Sequence, residues 1–441
     1  MSQWLRYQTP SWDLGIFTQL ARRYAHLQAP IVDVKGDGYN LLGDHFHPLL
    51  VLLGLPYRIW PSALTVLLVQ AVLLAFSMWV VTRAAVHRLG AIPGSLVGVA
   101  YGLSFGIVEA VVAQFHEIAF AVPLLALSLV ALLDRRWLAV ALWAAPLVLV
   151  KEDLGVTVAV LGALVAWRGR DEGPRPGRVG AALAAWGMAW FALTTRVLLP
   201  ALNPDGQFAY AGKVDVAAVA RQPWLGVVHL VDDGTKLATL ALLALACGLV
   251  GLRSPLMLAA LPTLAWRFWS PDPVYWGPKW HYSAVLMPIA AVALLDGIEL
   301  AGRSPRGWLR RVGEVAVAVC VTAAVALTPQ LGFAQLGRAS FWQPNLRAAA
   351  AQRLLDEVPA GVTVETDVGL MSYLVDTRDV YWFGNVGNPA PDWLVFDSIW
   401  GGGAPRTPEA VLDWAAEHHP GVAYRVVFDE DGYLAARRTG P

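Results

Sequence analysis

Apolar residues run along this chain in long blocks, separated by short turns that carry the charged and polar side chains. A helix that crosses a bilayer needs about 20 mostly apolar residues, and about 17 can suffice. About ten blocks approach that length. They cover residues 62–82, 95–113, 118–133, 137–150, 154–167, 180–199, 237–252, 255–269, 283–300 and 312–328. The pattern predicts an α-helical bundle of about ten transmembrane segments.

Beyond residue 330 the apolar runs shorten and turn signals multiply. The spacing predicts helices over 345–357 and 408–417 and strands over 363–365 and 380–383. A hairpin is predicted over 423–428 and 433–436, joined by Asp429-Glu430-Asp431-Gly432. Three regions follow: a first loop with juxtamembrane helices (1–61), the bundle (62–330) and a small α/β domain (331–441).

Arginines set the orientation. Arg83 and Arg88, then Arg135 and Arg136, then Arg168, Arg170, Arg175 and Arg178 fill alternate connections. Arg253 and then Arg303, Arg306, Arg310 and Arg311 continue the series. Basic loops stay in the cytoplasm. The first 61 residues, the loops 200–236 and 270–282 and the C-terminal domain are therefore expected on the outer face of the plasma membrane. All five lysines (Lys35, Lys151, Lys213, Lys236, Lys279) fall on that side. No crossing precedes Asp13, so the expectation is either a start further upstream or a first segment lying on the membrane surface.

Composition agrees with a bundle. Hydrophobic types make up 56% of 441 residues and charged types 15%, with a mean hydropathy of +0.50, against about 25% charged in a soluble domain. Lys+Arg and Asp+Glu are equal at 33 each, so nothing in the charge points to a nucleic-acid partner. The 2 cysteines, Cys247 and Cys320, both lie in apolar blocks, which excludes a disulfide framework and a CxxC metal site.

Candidate chemistry collects at the outer ends of the helices. Asp13 lies in SWDLGIFTQ, Asp44, His45 and His47 in GDHFHP, and Glu109, Gln114, His116 and Glu117 in VEAVVAQFHE. Lys151, Glu152 and Asp153 form a KED turn, and Arg267, Lys279 and His281 belong to WRFW and GPKWHYS. Carboxylates and imidazoles in such a group bind a divalent ion or move a proton, and Lys and Arg hold phosphate. Each residue also has an ordinary reading. Asp13, Glu117 and Asp153 stand where helix-capping acids stand. His45 and His47, two apart and followed by Pro48, are a weak metal pair without a third ligand such as Glu117. Glu109 lies about a turn inside the outer boundary, where a charge is usually paired or functional, and His116 is expected on the same helix face. Gln70, near the middle of its helix, suits a bridge between helices.

The stretches WDLGIFTQ, NLLGDHFHPLL, the Gln70 helix, FHEIAFAVPLLALS, LVLVKEDLG and HYSAVLMPIA resemble the bacterial membrane-protein family called domain of unknown function 2079. That family is similar in plan to the GT-C superfamily of membrane glycosyltransferases. The resemblance implies many helices, a first outer loop with a catalytic acid near its start, and a soluble C-terminal part. It also implies transfer of a sugar from a polyprenyl-phosphate carrier, in contact with membrane lipids, to a cell-envelope acceptor. On that pattern Asp13 matches the catalytic acid, and HFHPLLVLLGLP takes the place of the loop's proline motif. Two features depart from it: no helix precedes Asp13, and no second acid follows it directly.

The expectation is an inverting transfer with Asp13 as base. His45, His47, Glu109, His116, Glu117, Glu152, Asp153 and His281, with Gln19 of WDLGIFTQ, contact substrate in this reading. His45, His47 and Glu117 are the residues to hold a divalent metal, and Lys151, Arg267 and Lys279 neutralise the phosphate. Two rivals stand beside it. A transporter or flippase places its site at the bilayer midplane, where this sequence has almost no ionisable residue. An envelope assembly protein would work through its outer domain without catalysis.

Overall fold

The computed structural model describes residues 3–213 and 221–440; residues 214–220, part of the expected outer loop 200–236, lie outside them. The described residues are mostly helical. In chain order the helices used below are α1 (Trp12–Ala25), α2 (Ala63–Leu89), α3 (Ala91–Gly102), α4 (Phe105–Val112), α5 (Ile118–Leu133), α6 (Trp137–Ala144), α7 (Leu154–Arg168) and α8 (Pro174–Leu193). They continue with α9 (Gly234–Ala246), α10 (Leu261–Trp269), α11 (Leu286–Gly302), α12 (Gly307–Leu327), α13 (Ala348–Glu357), α14 (Met371–Leu374) and α15 (Pro408–His418). The chain divides into two compact units: residues 1–41, 50–69 and 336–441, and residues 42–49 and 70–335. The first 61 residues are thus divided between the units.

In the first unit, five strands form one sheet in the order β2-β1-β3-β5-β4. They are β1 (Thr363–Thr366), β2 (Asp379–Trp382), β3 (Trp393–Asp397), β4 (Tyr424–Glu430) and β5 (Tyr433–Arg438). β1 pairs in parallel with β2 and β3, whereas β5 pairs antiparallel with β3 and β4. The hairpin turn is tighter than the four residues expected. Asp429 and Glu430 belong to β4, and Asp431 (φ 50°) and Gly432 (φ 79°) alone make the turn. Two successive left-handed residues match the twist of an antiparallel pair. Strand β3 was not foreseen: all five of its residues are buried, so it shows no alternation to read. On one face α15, capped by Thr407 and opened by Pro408, covers Leu394, Phe396, Leu434 and Ala436. There His419 Nε2 meets Glu365 Oε2 at 2.6 Å, both buried. Helix α1 belongs to the same unit; its Gly15 lies against Met371 of α14, where an added Cβ would come within 2.5 Å of the sulfur.

The second unit is the bundle. Four helices are long and apolar enough to cross a membrane among the described residues: Ala63–Leu89, Pro174–Leu202, His281–Gly302 and Gly307–Gln330. A fifth arises if α3 and α4, bent by 40° at a break, form one crossing. Four other expected crossings appear as shorter apolar helices, and 255–269 is a 3-10 segment, Pro255–Ala260, that runs into α10. The 16 residues of α5 reach about 24 Å, short of the roughly 30 Å hydrocarbon core. The break before α7 is a tight turn at Ala145–Leu149, with Pro146 at its start. Helix α11 is the hub, since every residue from Leu286 to Gly297 is buried. A helix apolar all round belongs inside a bundle.

In the α7–α8 hairpin the two helices meet backbone to backbone. A Cβ added at Gly162 would stand 2.5 Å from the Gly180 carbonyl oxygen, and one at Gly187 would stand 2.3 Å from that of Gly155. The reciprocal approaches are 2.4 and 2.6 Å. Only glycine permits backbones this close, as at other small-residue crossings in membranes.

Candidate functional site

The site in the bundle is built on helix interruptions. Helix α4 stops at Val112, Gln114 turns the chain with φ 68°, and α5 starts at Ile118. Glu109 and His116 are therefore not on one helix face, as expected, but on either side of a break. Such a break leaves backbone groups without helical partners. Gln70, buried in α2, supplies two: its Nε2 donates to the Ala110 carbonyl (3.2 Å) and its Oε1 accepts from the His116 N–H (3.1 Å). Glu109 accepts from the Gly332 N–H at 3.1 Å.

The break aims His116 and Glu117 inward. Glu117, with 0% exposure, pairs with His116 Nδ1 at 2.6 Å and accepts from Lys151 Nζ at 2.9 Å. The KED turn is a second interruption, between the Ala145–Leu149 turn and α7. It points Lys151 at Glu117 and Glu152 the other way. Glu152 Oε1 meets His45 Nδ1 at 2.8 Å, and its Oε2 accepts from the Phe46 N–H at 3.1 Å. The segments around 45, 116 and 151, distant in sequence, are thus joined by buried ion pairs. The ordinary capping reading does not hold for two acids: neither Glu117 nor Asp153 caps its helix through its side chain.

Mutual pairing sets the charges. Burial alone would raise the Glu117 carboxyl, but His116 and Lys151 hold it well below the usual carboxylate range. Burial opposes the Lys151 ammonium, yet Glu117, Asp153 and Glu152 raise its pKa above the ordinary lysine value. Burial also works against Glu152, and the His45 contact outweighs it and lowers the carboxyl. Burial pushes Asp153 up to about 6, against the pull of Lys151, and pushes His47 down to about 4. His47 is therefore neutral at pH 7 and Asp153 mostly ionised.

His281 lies beside this chain of pairs. Its ring stacks on His116 at 3.3 Å between centroids, and neither of its ring nitrogens has a hydrogen-bond partner among the described residues. Arg267, fully buried, donates to the carbonyls of Tyr275 (2.8 Å) and Gly277 (2.7 Å) and to Ser283 Oγ (3.1 Å). It staples the 270–283 loop. Lys279 is exposed on that loop and Gln114 is half-buried.

In the first unit, Ser11 supplies the α1 cap by accepting from the Leu14 N–H at 3.0 Å. Asp13, half-buried in the first turn, is not needed for that. Gln19 is buried; its Oε1 accepts from the Val34 N–H (3.0 Å) and its Nε2 donates to the Val380 carbonyl (3.4 Å).

Two residues that the sequence did not single out for the site join it. The Tyr210 ring stacks on His45 at 4.4 Å, and its hydroxyl reaches Asp44 at 3.5 Å. Lys213 lies over that ring at 4.7 Å and donates to the Tyr275 hydroxyl at 2.7 Å. Asn203 ties the loop to the Gly43 carbonyl at 3.0 Å. The signal was a lysine three residues from a tyrosine in an otherwise plain loop, which no motif marks.

For a metal, donors are present but engaged. His45, His47 and Glu117 hold an ion only if it displaces the Glu152–His45 and Lys151–Glu117 contacts. The stacked His116 and His281 imidazoles offer donors that need less rearrangement.

The fold is shared with ArnT from Cupriavidus metallidurans, solved bound to undecaprenyl phosphate: the superposition has a TM-score of 0.55 at 13% identity and covers 99% of this chain and 96% of that one. What the two chains share is the fold, a helical bundle with a small C-terminal sheet. The family follows from the sequence itself. A family profile described as Predicted membrane protein (DUF2079) matches residues 5–435, and the chain belongs to that family. No curated protein matches the sequence.

Proposed function

We propose that this protein transfers a sugar from a polyprenyl-phosphate donor to a cell-envelope acceptor at the outer face of the plasma membrane. The C-terminal α/β domain lies on that same side. The observation that carries the reading is the buried chain His45–Glu152 and Lys151–Glu117–His116, held in fixed geometry by two helix interruptions. Ionic groups in a bundle are usually functional, and preorganised charge of this kind stabilises developing charge during group transfer. That ArnT was solved with undecaprenyl phosphate supports a polyprenyl-phosphate partner for a chain of the same fold.

Asp13 acts as the base in this scheme. It takes the proton of the acceptor hydroxyl, whose oxygen then attacks the anomeric carbon. The bond from that carbon to the phosphate oxygen breaks, and polyprenyl phosphate leaves. Glu117, Glu152, His45, His116 and His281 orient the donor. A divalent ion, if one takes part, would use the imidazoles and add positive charge beside the phosphate.

The test is transfer of labelled sugar from a polyprenyl-phosphate donor to envelope acceptors by purified protein in nanodiscs. Asp13→Asn is expected to reduce the rate by about 100-fold or more while leaving donor affinity within a few-fold. An unchanged rate overturns the base assignment. Movement of the labelled lipid across a proteoliposome membrane with no bond formed would replace the transferase reading with transport.

A further inference from the structure

The proposed donor brings a phosphate, and the geometry points to Lys213 as the cation that holds it, an inference that rests on the transferase reading. The buried cluster does not welcome an anion by itself. Asp44, Glu117, Glu152 and Asp153 bring four carboxylates to the same set of elements as one ammonium, Lys151. The Lys151 ammonium is already bonded to Glu117 at 2.9 Å. Three Arg267 nitrogens donate to protein oxygens that fix a loop. Both cations are buried and already paired or bonded to protein oxygens, so a phosphate that approached them would have to give up its water and share their charge.

Lys213 is arranged differently. Its ammonium donates to a neutral phenol, Tyr275, and lies over the ring faces of Tyr210 (4.7 Å) and Tyr275 (5.2 Å). These contacts position the charge without cancelling it. Tyr210 in turn is stacked on His45, the first member of the buried chain. Tyr275 is fixed by the Arg267 bond to its carbonyl and by edge contacts with Tyr282 and Trp266. The lysine is half-exposed, so a ligand gains its two remaining N–H donors with little desolvation. Phosphate recognition by an ammonium needs a point charge and free donors, and both are present here. The loop is anchored at Asn203 on Gly43, directly before Asp44 and His45, which ties the cation to the same segment as the cluster. Lys213 therefore positions the donor's phosphate and neutralises it as it leaves.

The experiment uses the full chain in nanodiscs and native mass spectrometry, with undecaprenyl phosphate, undecaprenol and inorganic phosphate as probes. Lys213→Ala is expected to weaken undecaprenyl phosphate binding about tenfold or more and to leave undecaprenol unaffected. Lys213→Arg, which keeps the charge, should restore binding to within a few-fold. Tyr275→Phe removes only the hydroxyl that orients the ammonium and should give an intermediate loss in a protein that melts like the parent. Wild-type binding with no loss in Lys213→Ala overturns the assignment and leaves the transferase reading standing. Loss in Lys213→Ala that Lys213→Arg does not repair marks a structural role and overturns it too. Dependence on Lys213 for inorganic phosphate alone would make this a free-anion site, against the proposal. A wild-type protein that binds no undecaprenyl phosphate overturns both.

Discussion

Glu117→Gln is the perturbation whose outcome the structure specifies most closely. The carboxylate has 0% exposure and is shared by Lys151 at 2.9 Å and His116 at 2.6 Å. The amide keeps the shape and removes the charge, which leaves a buried ammonium without its main partner. Breaking one side of a buried pair costs about 3–5 kcal/mol. Glu152 and Asp153 also act on Lys151, so the lower end, about 3 kcal/mol, applies. For a unit of this size that corresponds to a drop of about 6–9 °C in Tm. Thermal melts in detergent micelles, followed by the fluorescence of the 20 tryptophans, measure it. Adding Lys151→Met removes the stranded charge, and the double variant should regain at least half of the loss. The pH dependence carries a sign as well. Glu117 has a lowered carboxyl in the folded state, so its contribution is present above the ordinary carboxylate range and disappears as pH falls through the depressed folded value. The gap between wild type and variant should hold from pH 7 to about 5 and close below that. A Glu117→Gln melt within about 1 °C of wild type, or a double variant as unstable as the two single losses added, would refute the reasoning.

Other outcomes follow from the same contacts. Gln70→Ala strands the Ala110 carbonyl and the His116 N–H, and should cost about 2–4 kcal/mol in the same melts. Asp153 is raised by burial to about 6, so its favourable protonated state is fully present near pH 4 and is lost as pH rises through 6. Relative to Asp153→Asn, wild type should therefore lose Tm between pH 4 and 6 and run parallel above 7. Arg168→Gln leaves the buried Asp296 carboxylate, which also accepts from Ser254, without its cation and should cost about 3 kcal/mol or more, whereas Arg135→Gln, paired with Glu172 at the surface, should change stability by less than about 1 kcal/mol.

Much of the fold is visible in residue pattern because it depends on composition over long windows. The apolar blocks located every bundle helix named above, and the hairpin of β4 and β5 announced itself through alternation and Gly432. What failed did so for identifiable reasons. Strand β3, Trp393–Asp397, is buried on both faces and looks like any short apolar run. Helix length was misjudged where Pro146 and the bend after Gly102 interrupt an apolar block, because hydropathy does not register a backbone turn. The site was partly legible: charge at the outer ends of apolar blocks singled out Glu117, Lys151, Glu152 and His45, which the bundle joins. Roles were less legible. Arg267 and Gln19 look the same in sequence whether they meet a substrate or a backbone carbonyl, and only the hydrogen bonds tell. Tyr210 and Lys213 were missed because a loop records in sequence neither its anchor nor its destination.

The glycine contacts of the α7–α8 hairpin bear on what keeps a short helix in its place. Gly155 faces Gly187 and Gly162 faces Gly180, so both pairs lie seven residues apart and hold one antiparallel register. Seven-residue spacing keeps a contact stripe along one seam of a left-handed pair. Lipid tails cannot imitate so close an approach of two backbones. The 15 residues of α7 span about 22 Å, so its partner, and not its own length, holds it in the bundle. An alanine at any of the four glycines would wedge the two backbones apart, and the shorter helix would be the one to lose its place.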